Sequence, residues 1–252
     1  MASFCGTVYS KALGMDTNLN IITPRGKSSA ATGAAPRVAY LLHGLSDNAA
    51  AWIENTCLRE YADKYNMAFV MPEVQRGFYI DAAYGLDYFT YIADELPEIV
   101  GKIFNFSHKR EDTYIFGLSM GGYGALKIGM KRPSHFAGIG GFSSVCSLKD
   151  GLANDDVLIP RKEIAGVLGE SNELLEKEEL LTIAREFSAC REKPEIYISC
   201  GKGDFLLDMN REFEYKLGEM KIPHIYEEWT GIHNWKFWRE SLEKALAVFL
   251  GE

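Results

Sequence analysis

"DTYIFGLSMGGYGALKIGMKR", Asp112 to Arg132, changes its period halfway along. Up to Leu118 it is a short apolar run suited to a buried strand, and from Gly122 to Lys131 its apolar residues recur at helical spacing. Between the two lies Gly117-Leu118-Ser119-Met120-Gly121, a G-x-S-x-G. With glycine at 24 of 252 positions, that pattern arises by chance in roughly one such chain in ten. Its meaning therefore depends on whether the rest of the chain repeats the strand-to-helix unit, since each step of a parallel sheet needs a crossover that is usually helical.

It does. Strand-like runs occur at "FCGTVYSKAL", "TNLNIITP", "RVAYLLHG", "MAFVMPE", "DTYIFGLS", "FAGIGGFSS", "PEIYISCG" and "PHIYEEWTG". From the third onward they alternate with helix-period segments at about Ala50 to Tyr65, Leu86 to Phe104, Gly122 to Lys131, Leu206 to Met220 and Trp235 to Leu250. This alternation predicts an α/β fold: about eight strands, mostly parallel, doubly wound and covered by helices on both faces, in one domain over 1–252. The first two strands are joined by a short turn and are expected to form an antiparallel edge. A charged helical insertion at about 146–192 interrupts the alternation and is expected over the carboxyl edge of the sheet. "RGKSSAATGAAP", Arg25 to Pro36, reads as a surface loop rather than a linker.

Composition excludes several classes. The formal net charge of -8 disfavours a nucleic-acid partner, whose phosphates it would repel. No apolar run approaches a membrane span, and "MASFCGTVYSKALG" lacks the basic patch and apolar core of a secretory signal, so a cytoplasmic protein without a membrane partner is expected. The five cysteines, Cys5, Cys57, Cys146, Cys190 and Cys200, include no C-x-x-C and suggest reduced thiols.

Ser119 stands at the carboxyl end of a predicted strand, the edge where ligands of parallel α/β sheets collect. A strand, G-x-S-x-G, helix context is what a nucleophile elbow requires, because the glycines permit the tight turn that lifts the serine Oγ out of the sheet. A helix N-cap would explain a serine here but not Gly117, Gly121 and Gly122 together. A serine hydroxyl also needs a base. Of the five histidines, His108 and His135 lie in connections that enter strands and His224 opens one, so these three belong at the amino edge. His43 and His233 follow strands. The chain order serine, acid, histidine of an elbow-type hydrolase selects His233 and leaves His43 too early.

The acid is expected on the loop after the penultimate strand, where "SCGKGDFLLDMN" offers Asp204. Asp208, Asp155 and Asp156 are the alternatives, and Asp204 can also cap the helix that follows. An oxyanion needs two amide donors. The amide after the nucleophile, Met120, is one; the Leu45 amide in "HGLSDN" is the other, with His43 shaping that loop. A metal at His43 and Asp47 would lack a third ligand, and neither metal nor organic cofactor is expected.

These residues resemble the α/β-hydrolase esterase family that contains esterase D (S-formylglutathione hydrolase), tributyrin esterases, and feruloyl and acetyl xylan esterases. The resemblance is carried by "LLHGLSDNAAAW", "FYIDAAYGLDYFTYIADELP", "IFGLSMGGYGALK", "SCGKGDFL" and "GIHNWKFW", spread over about residues 40–240, and is nearest to the bacterial tributyrin esterases. It implies Ser119 as nucleophile, His233 as base, Asp204 as acid, and the Leu45 and Met120 amides as the oxyanion hole. Two departures stand out: "FSSV" at Phe142 to Val145 where relatives often have a glycine-alanine pair, and "GIH" where a second glycine commonly precedes the histidine.

Short acyl esters (acetyl or butyryl) or hydroxycinnamoyl esters, free or carbohydrate-linked, are the expected substrates. An S-formylglutathione thioesterase is the alternative, and a non-catalytic binding protein on the same scaffold a remote one. His43, Tyr79 and Trp235 are candidate pocket residues. Of the aromatics Phe78, Tyr79, Tyr84, Tyr88, Phe89 and Tyr91, at least half are expected in the core. The resemblance also raises the expectation of a homo-oligomer.

Overall fold

Continuous burial along the inner predicted strands builds the architecture. The computed structural model describes residues 2–25, 35–153 and 161–251. They contain β1 (Ser3–Ser10), β2 (Met15–Ile22), β3 (Arg37–Leu42), β4 (Met67–Pro72), β5 (Thr113–Leu118), β6 (Gly138–Phe142), β7 (Glu195–Gly201) and β8 (Ile225–Trp229). These form one eight-stranded sheet in the order β1-β2-β4-β3-β5-β6-β7-β8. Strands β3 to β8 pair in parallel, whereas β2 is antiparallel to both β1 and β4. The antiparallel edge is thus as expected, and Gly14 at φ 65° closes its turn.

Both sheet faces are buried, as continuous apolar strands require. Val38, Tyr40 and Leu42 of β3 point into one core with Val70, Ile115 and Ile139. Ala39 and Leu41 point into the other with Phe69, Phe116 and Phe142. The first core is covered by α3 (Tyr88–Thr90, a π-helical turn at Tyr91–Glu95, then Leu96–Ile103), α4 (Met120–Lys131), α8 (Leu180–Ser188) and α9 (Leu207–Glu219). The second is covered by α1 (Ala51–Asn55), α2 (Leu58–Tyr65) and α10 (Trp235–Leu250). The helix expected from Ala50 to Tyr65 is therefore two. Thr56, extended at φ -137°, ends the first, and its hydroxyl donates to the Trp52 carbonyl, a local bond that competes with helix continuation.

The insertion divides its work. It comprises α5 (Leu148–Ala153), α6 (Arg161–Leu168), α7 (Asn172–Glu178) and α8. At the carboxyl edge, the Val167 and Gly166 carbonyls of α6 accept from the Ala83 and Tyr84 amides, in the loop after β4. Leu180, Ile183, Ala184 and Phe187 of α8 instead bury against the first core, so α8 is the ordinary crossover between β6 and β7. Of the Arg25 to Pro36 loop, residues 26–34 lie outside the described residues, as do the alternative acids Asp155 and Asp156. Among the described residues no helix is long and apolar enough to cross a membrane.

Candidate active site

Strand order reverses at β3, whose neighbours β4 and β5 carry the chain away in opposite directions; their carboxyl ends open the crevice where α/β sheets bind ligands. Ser119 ends β5 there, at φ 53° and ψ -118°. A non-glycine residue so placed costs about 1–3 kcal/mol and persists only where its surroundings enforce it. The enforcement is visible. The Ser119 amide donates to the Phe142 carbonyl at 2.9 Å, and the Ser119 carbonyl accepts from Tyr123 and Val145 at 3.1 and 3.2 Å. A Cβ on Gly117 would fall 2.0 Å from the Gly121 oxygen, and one on Gly121 would fall 2.2 Å from the Leu42 oxygen. The two glycines let strand, turn and helix approach closer than any side chain permits, so the motif is used as an elbow rather than as a loose loop.

His233 and Asp204 come from the turns after β8 and β7, brought together by equally close backbone approach. A Cβ on Gly201 would meet the Gly231 carbonyl at 2.7 Å, and the Gly203 amide donates to that carbonyl at 2.8 Å. His233 Nε2 lies 3.1 Å from Ser119 Oγ, and its Nδ1 lies 2.9 Å from Asp204 Oδ2. The Asp204 side chain is 0% exposed. Burial pushes its carboxyl up, but the His233 hydrogen bond and charge and the Leu206 amide outweigh burial and leave it below the usual carboxylate range. An ionised carboxylate there favours the tautomer with hydrogen on Nδ1, leaving Nε2 free to accept a proton from Ser119.

Asp204 also accepts from the Leu206 amide at 2.9 Å, while α9 begins at Leu207. The acid thus organises the entry to that helix. Asp208 is excluded by position: its side chain is 99% exposed and faces Arg211. The three amino-edge histidines are also where the sequence put them; His108 and His135 line a cavity of about 220 Å³ with Val38 and Thr113, at the starts of β3 and β5, and His224 bonds the Ile222 carbonyl beside the start of β8.

Met120 opens α4, so its amide belongs to the first turn, whose N-H groups have no intrahelical acceptor and carry the positive end of the helix dipole. Leu45 follows Gly44, whose Cβ, if present, would lie 3.7 Å from Ser119 Cβ. The Gly44 carbonyl is held from the far side by His43 Nδ1 at 2.8 Å and the Asp47 amide at 3.2 Å. Because a trans peptide is planar, fixing that carbonyl fixes the Leu45 N-H pointing the opposite way.

Two expected pocket residues are corrected. His43 is 1% and Tyr79 0% exposed; His43 Nε2 faces Val74 N and Glu73 Oε1, both at 3.2 Å, and the Tyr79 hydroxyl donates to the His43 carbonyl at 2.9 Å. Both build the loop from beneath. Phe78, Tyr88 and Tyr91 are core as well, and Tyr84 is exposed. Trp235 is half-buried between Trp52 and Trp238, and Trp238 meets the His233 ring edge-on at 4.9 Å.

Three contributors escaped the sequence reading. Phe205, 60% exposed, lies against the His233 ring with centroids 4.5 Å apart; an apolar residue beside the acid was its only signal. Asn210, fully buried, bonds Ser144 and Leu206 and so ties the loop after β6 to the Asp204 turn. Ser143, in the unusual "FSSV", sits at φ 45°, a conformation that favours glycine. Among the described residues no group of three or more His, Cys, Asp or Glu is arranged to hold a metal.

The chain matches the family described as "Putative esterase" over residues 10–249. It is 32% identical over 250 residues to an acetyl esterase of Caldicellulosiruptor saccharolyticus, covering 94% of each chain. Its fold superposes on fluorophosphonate-binding serine hydrolase F of Staphylococcus aureus, solved with substrate bound, with a TM-score of 0.91 and 28% identity over 100% of this chain and 99% of that one. An S-formylglutathione hydrolase of the same organism superposes with a TM-score of 0.88 and 28% identity over 99% of both chains.

Proposed function

The chain belongs to the esterase family and is a carboxylic ester hydrolase, and on that premise we propose that Ser119, His233 and Asp204 are its nucleophile, base and acid. The observation that carries this reading is the pair of contacts at His233, 3.1 Å to Ser119 Oγ and 2.9 Å to Asp204 Oδ2, on a serine held at φ 53°. Ser119 Oγ attacks the ester carbonyl as its proton passes to His233 Nε2. The Leu45 and Met120 amides stabilise the oxyanion, and the imidazolium gives its proton to the departing alcohol. Water then hydrolyses the acyl-enzyme by the same steps. Removing a single oxyanion donor in such a site costs about 10²- to 10³-fold in kcat.

The acyl group we propose is short, acetyl or butyryl, with hydroxycinnamoyl as the larger bound. The resemblance to an acetyl esterase supports it, as does a nucleophile only 5% exposed whose proposed base, His233, packs against Trp238. The five thiols form no disulfide, which fits a reducing, cytoplasmic setting. The test compares kcat/KM for acetyl, butyryl and feruloyl esters, acetylated xylan and S-formylglutathione in the wild type and Ser119→Ala. Turnover of the short esters should exceed that of the others and fall to near background in Ser119→Ala. Substantial residual turnover there would remove Ser119 as nucleophile, and a dominant S-formylglutathione rate would make the chain a thioesterase.

A further inference from the structure

Beneath the Leu45 loop lies a charged residue that the proposed chemistry does not use. Lys127 of α4 is 0% exposed, where lysine is almost never found without a partner. Its Nζ is ion-paired with Glu178 of α7 and donates to the Tyr79 carbonyl at 2.9 Å. Lys131 shares Glu178 at 2.8 Å, the Phe89 and Tyr123 rings lie 4.9 and 5.7 Å from Nζ, and the Asp81 carboxylate is near enough to be felt. Burial pulls the ammonium pKa down, Glu178 pulls it back, and it settles at about 8.

The segment that Lys127 grips is strained. Gln75, Phe78 and Tyr79 sit at φ 50°, 51° and 54°, which non-glycine residues keep only when their neighbours over-determine them. The Tyr79 ring lies on Gly124 of α4, where a Cβ would fall 2.5 Å from it, and its hydroxyl reaches the His43 carbonyl at 2.9 Å. His43 Nδ1 in turn holds the Gly44 carbonyl at 2.8 Å, the other end of the peptide unit that bears the Leu45 N-H. A continuous path of bonds thus runs from the elbow helix, through the loop after β4, to the loop after β3.

We propose that Lys127 is a positioning residue for ester hydrolysis: by pinning the Tyr79 carbonyl it lets the Tyr79 hydroxyl hold His43, and with it the Gly44-Leu45 peptide, in register with Ser119. The proposal rests on the reading of Leu45 N-H as an oxyanion donor. A donor displaced by a fraction of an ångström weakens transition-state binding more than substrate binding, so the loss falls on kcat and not on KM.

The test measures kcat and KM for p-nitrophenyl acetate, with thermal melts, in Tyr79→Phe, Lys127→Met, Lys127→Met/Glu178→Gln and Lys127→Met/Tyr79→Phe per fluorophosphonate-labelled site, and in Ser119→Ala per mole of folded protein. Tyr79→Phe and Lys127→Met should each lower kcat about ten- to a hundredfold with KM within about threefold of wild type. Lys127→Met/Glu178→Gln, which no longer leaves the buried Glu178 carboxylate with Lys131 alone in place of two lysines, should regain melting temperature without regaining kcat. Lys127→Met/Tyr79→Phe should be no worse than the weaker single variant by more than about threefold, because the two residues act in series. Unchanged kcat in Tyr79→Phe, a kcat that returns with stability, or losses that multiply would each overturn the proposal while Ser119→Ala remains inactive. Turnover surviving in Ser119→Ala would instead overturn the triad reading and this proposal with it.

Discussion

Asp204→Asn is nearly isosteric, and the structure says which way the new amide will face. The Leu206 amide donates to Oδ1 at 2.9 Å, and a backbone N-H cannot change its role, so the asparagine oxygen will take that site. Its NH2 then occupies the place of Oδ2, 2.9 Å from His233 Nδ1, and must donate. Nδ1 becomes an acceptor, the ring hydrogen moves to Nε2, and the atom 3.1 Å from Ser119 Oγ can no longer take a proton. The carboxylate that would stabilise the imidazolium is lost at the same time. Together these effects are expected to lower kcat about 10⁴-fold, equivalent to about 5.5 kcal/mol. Both acyl-enzyme formation and hydrolysis should slow, read as the pre-steady-state burst and the steady rate of p-nitrophenol release, with the melt close to wild type. Asp208→Asn, changing a side chain 99% exposed, is the control and should leave kcat unaltered. A loss smaller than about tenfold in Asp204→Asn, or an equal loss in Asp208→Asn, would refute the reasoning.

Glycine positions should separate sharply: Gly121→Ala forces a Cβ to 2.2 Å from the Leu42 oxygen and is expected to abolish soluble, fluorophosphonate-reactive protein. Gly218→Ala meets nothing within 4 Å on α9 and should stabilise by about 0.5–1 kcal/mol in urea unfolding. The buried ammonium predicts a pH dependence of stability. With Lys127 at about 8 in the folded chain and about 10.4 when unfolded, the unfolded chain binds more protons between those values, so this group's contribution rises as pH increases through that window. The stability of wild type relative to Lys127→Met should therefore increase by about 2 kcal/mol between pH 7.5 and 9.5; a difference that stays constant or shrinks contradicts the burial argument.

What the sequence reveals about this site divides according to where the physical constraint is written. Ser119 is legible because its turn needs glycines on both sides, and glycine is the residue that marks a close approach in one-letter code. His233 is legible because the alternation of strands and helices fixes which histidines can reach the carboxyl edge, and Asp204 because it follows the next-to-last strand. The same logic fails for the loop after β4. Its left-handed residues are Gln75, Phe78 and Tyr79, not glycines, so no turn signal appears, and aromatics at that spacing read alike whether they face a substrate or a core. Nor does the break at Thr56 show, since it depends on which carbonyl a hydroxyl finds.

Lys127 is the sharper case, because a lysine on a predicted helix reads as a solvated charge, and only the depth of α4 between the sheet and α8 turns it inward. That depth follows from the elbow itself. Gly117 and Gly121 bring the start of α4 within reach of β3 and β5, and a helix seated so low presents its second turn to the Tyr79 loop as well as to the core. The lysine at that turn must then find both a carbonyl and a carboxylate, and Tyr79 and Glu178 supply them. The glycines that form the Ser119 turn are therefore the indirect cause of the buried charge beneath it. Moving α4 outward by enlarging Gly124, whose Cβ would sit 2.5 Å from the Tyr79 ring, should disturb the Leu45 amide before it disturbs the Ser119 to His233 distance.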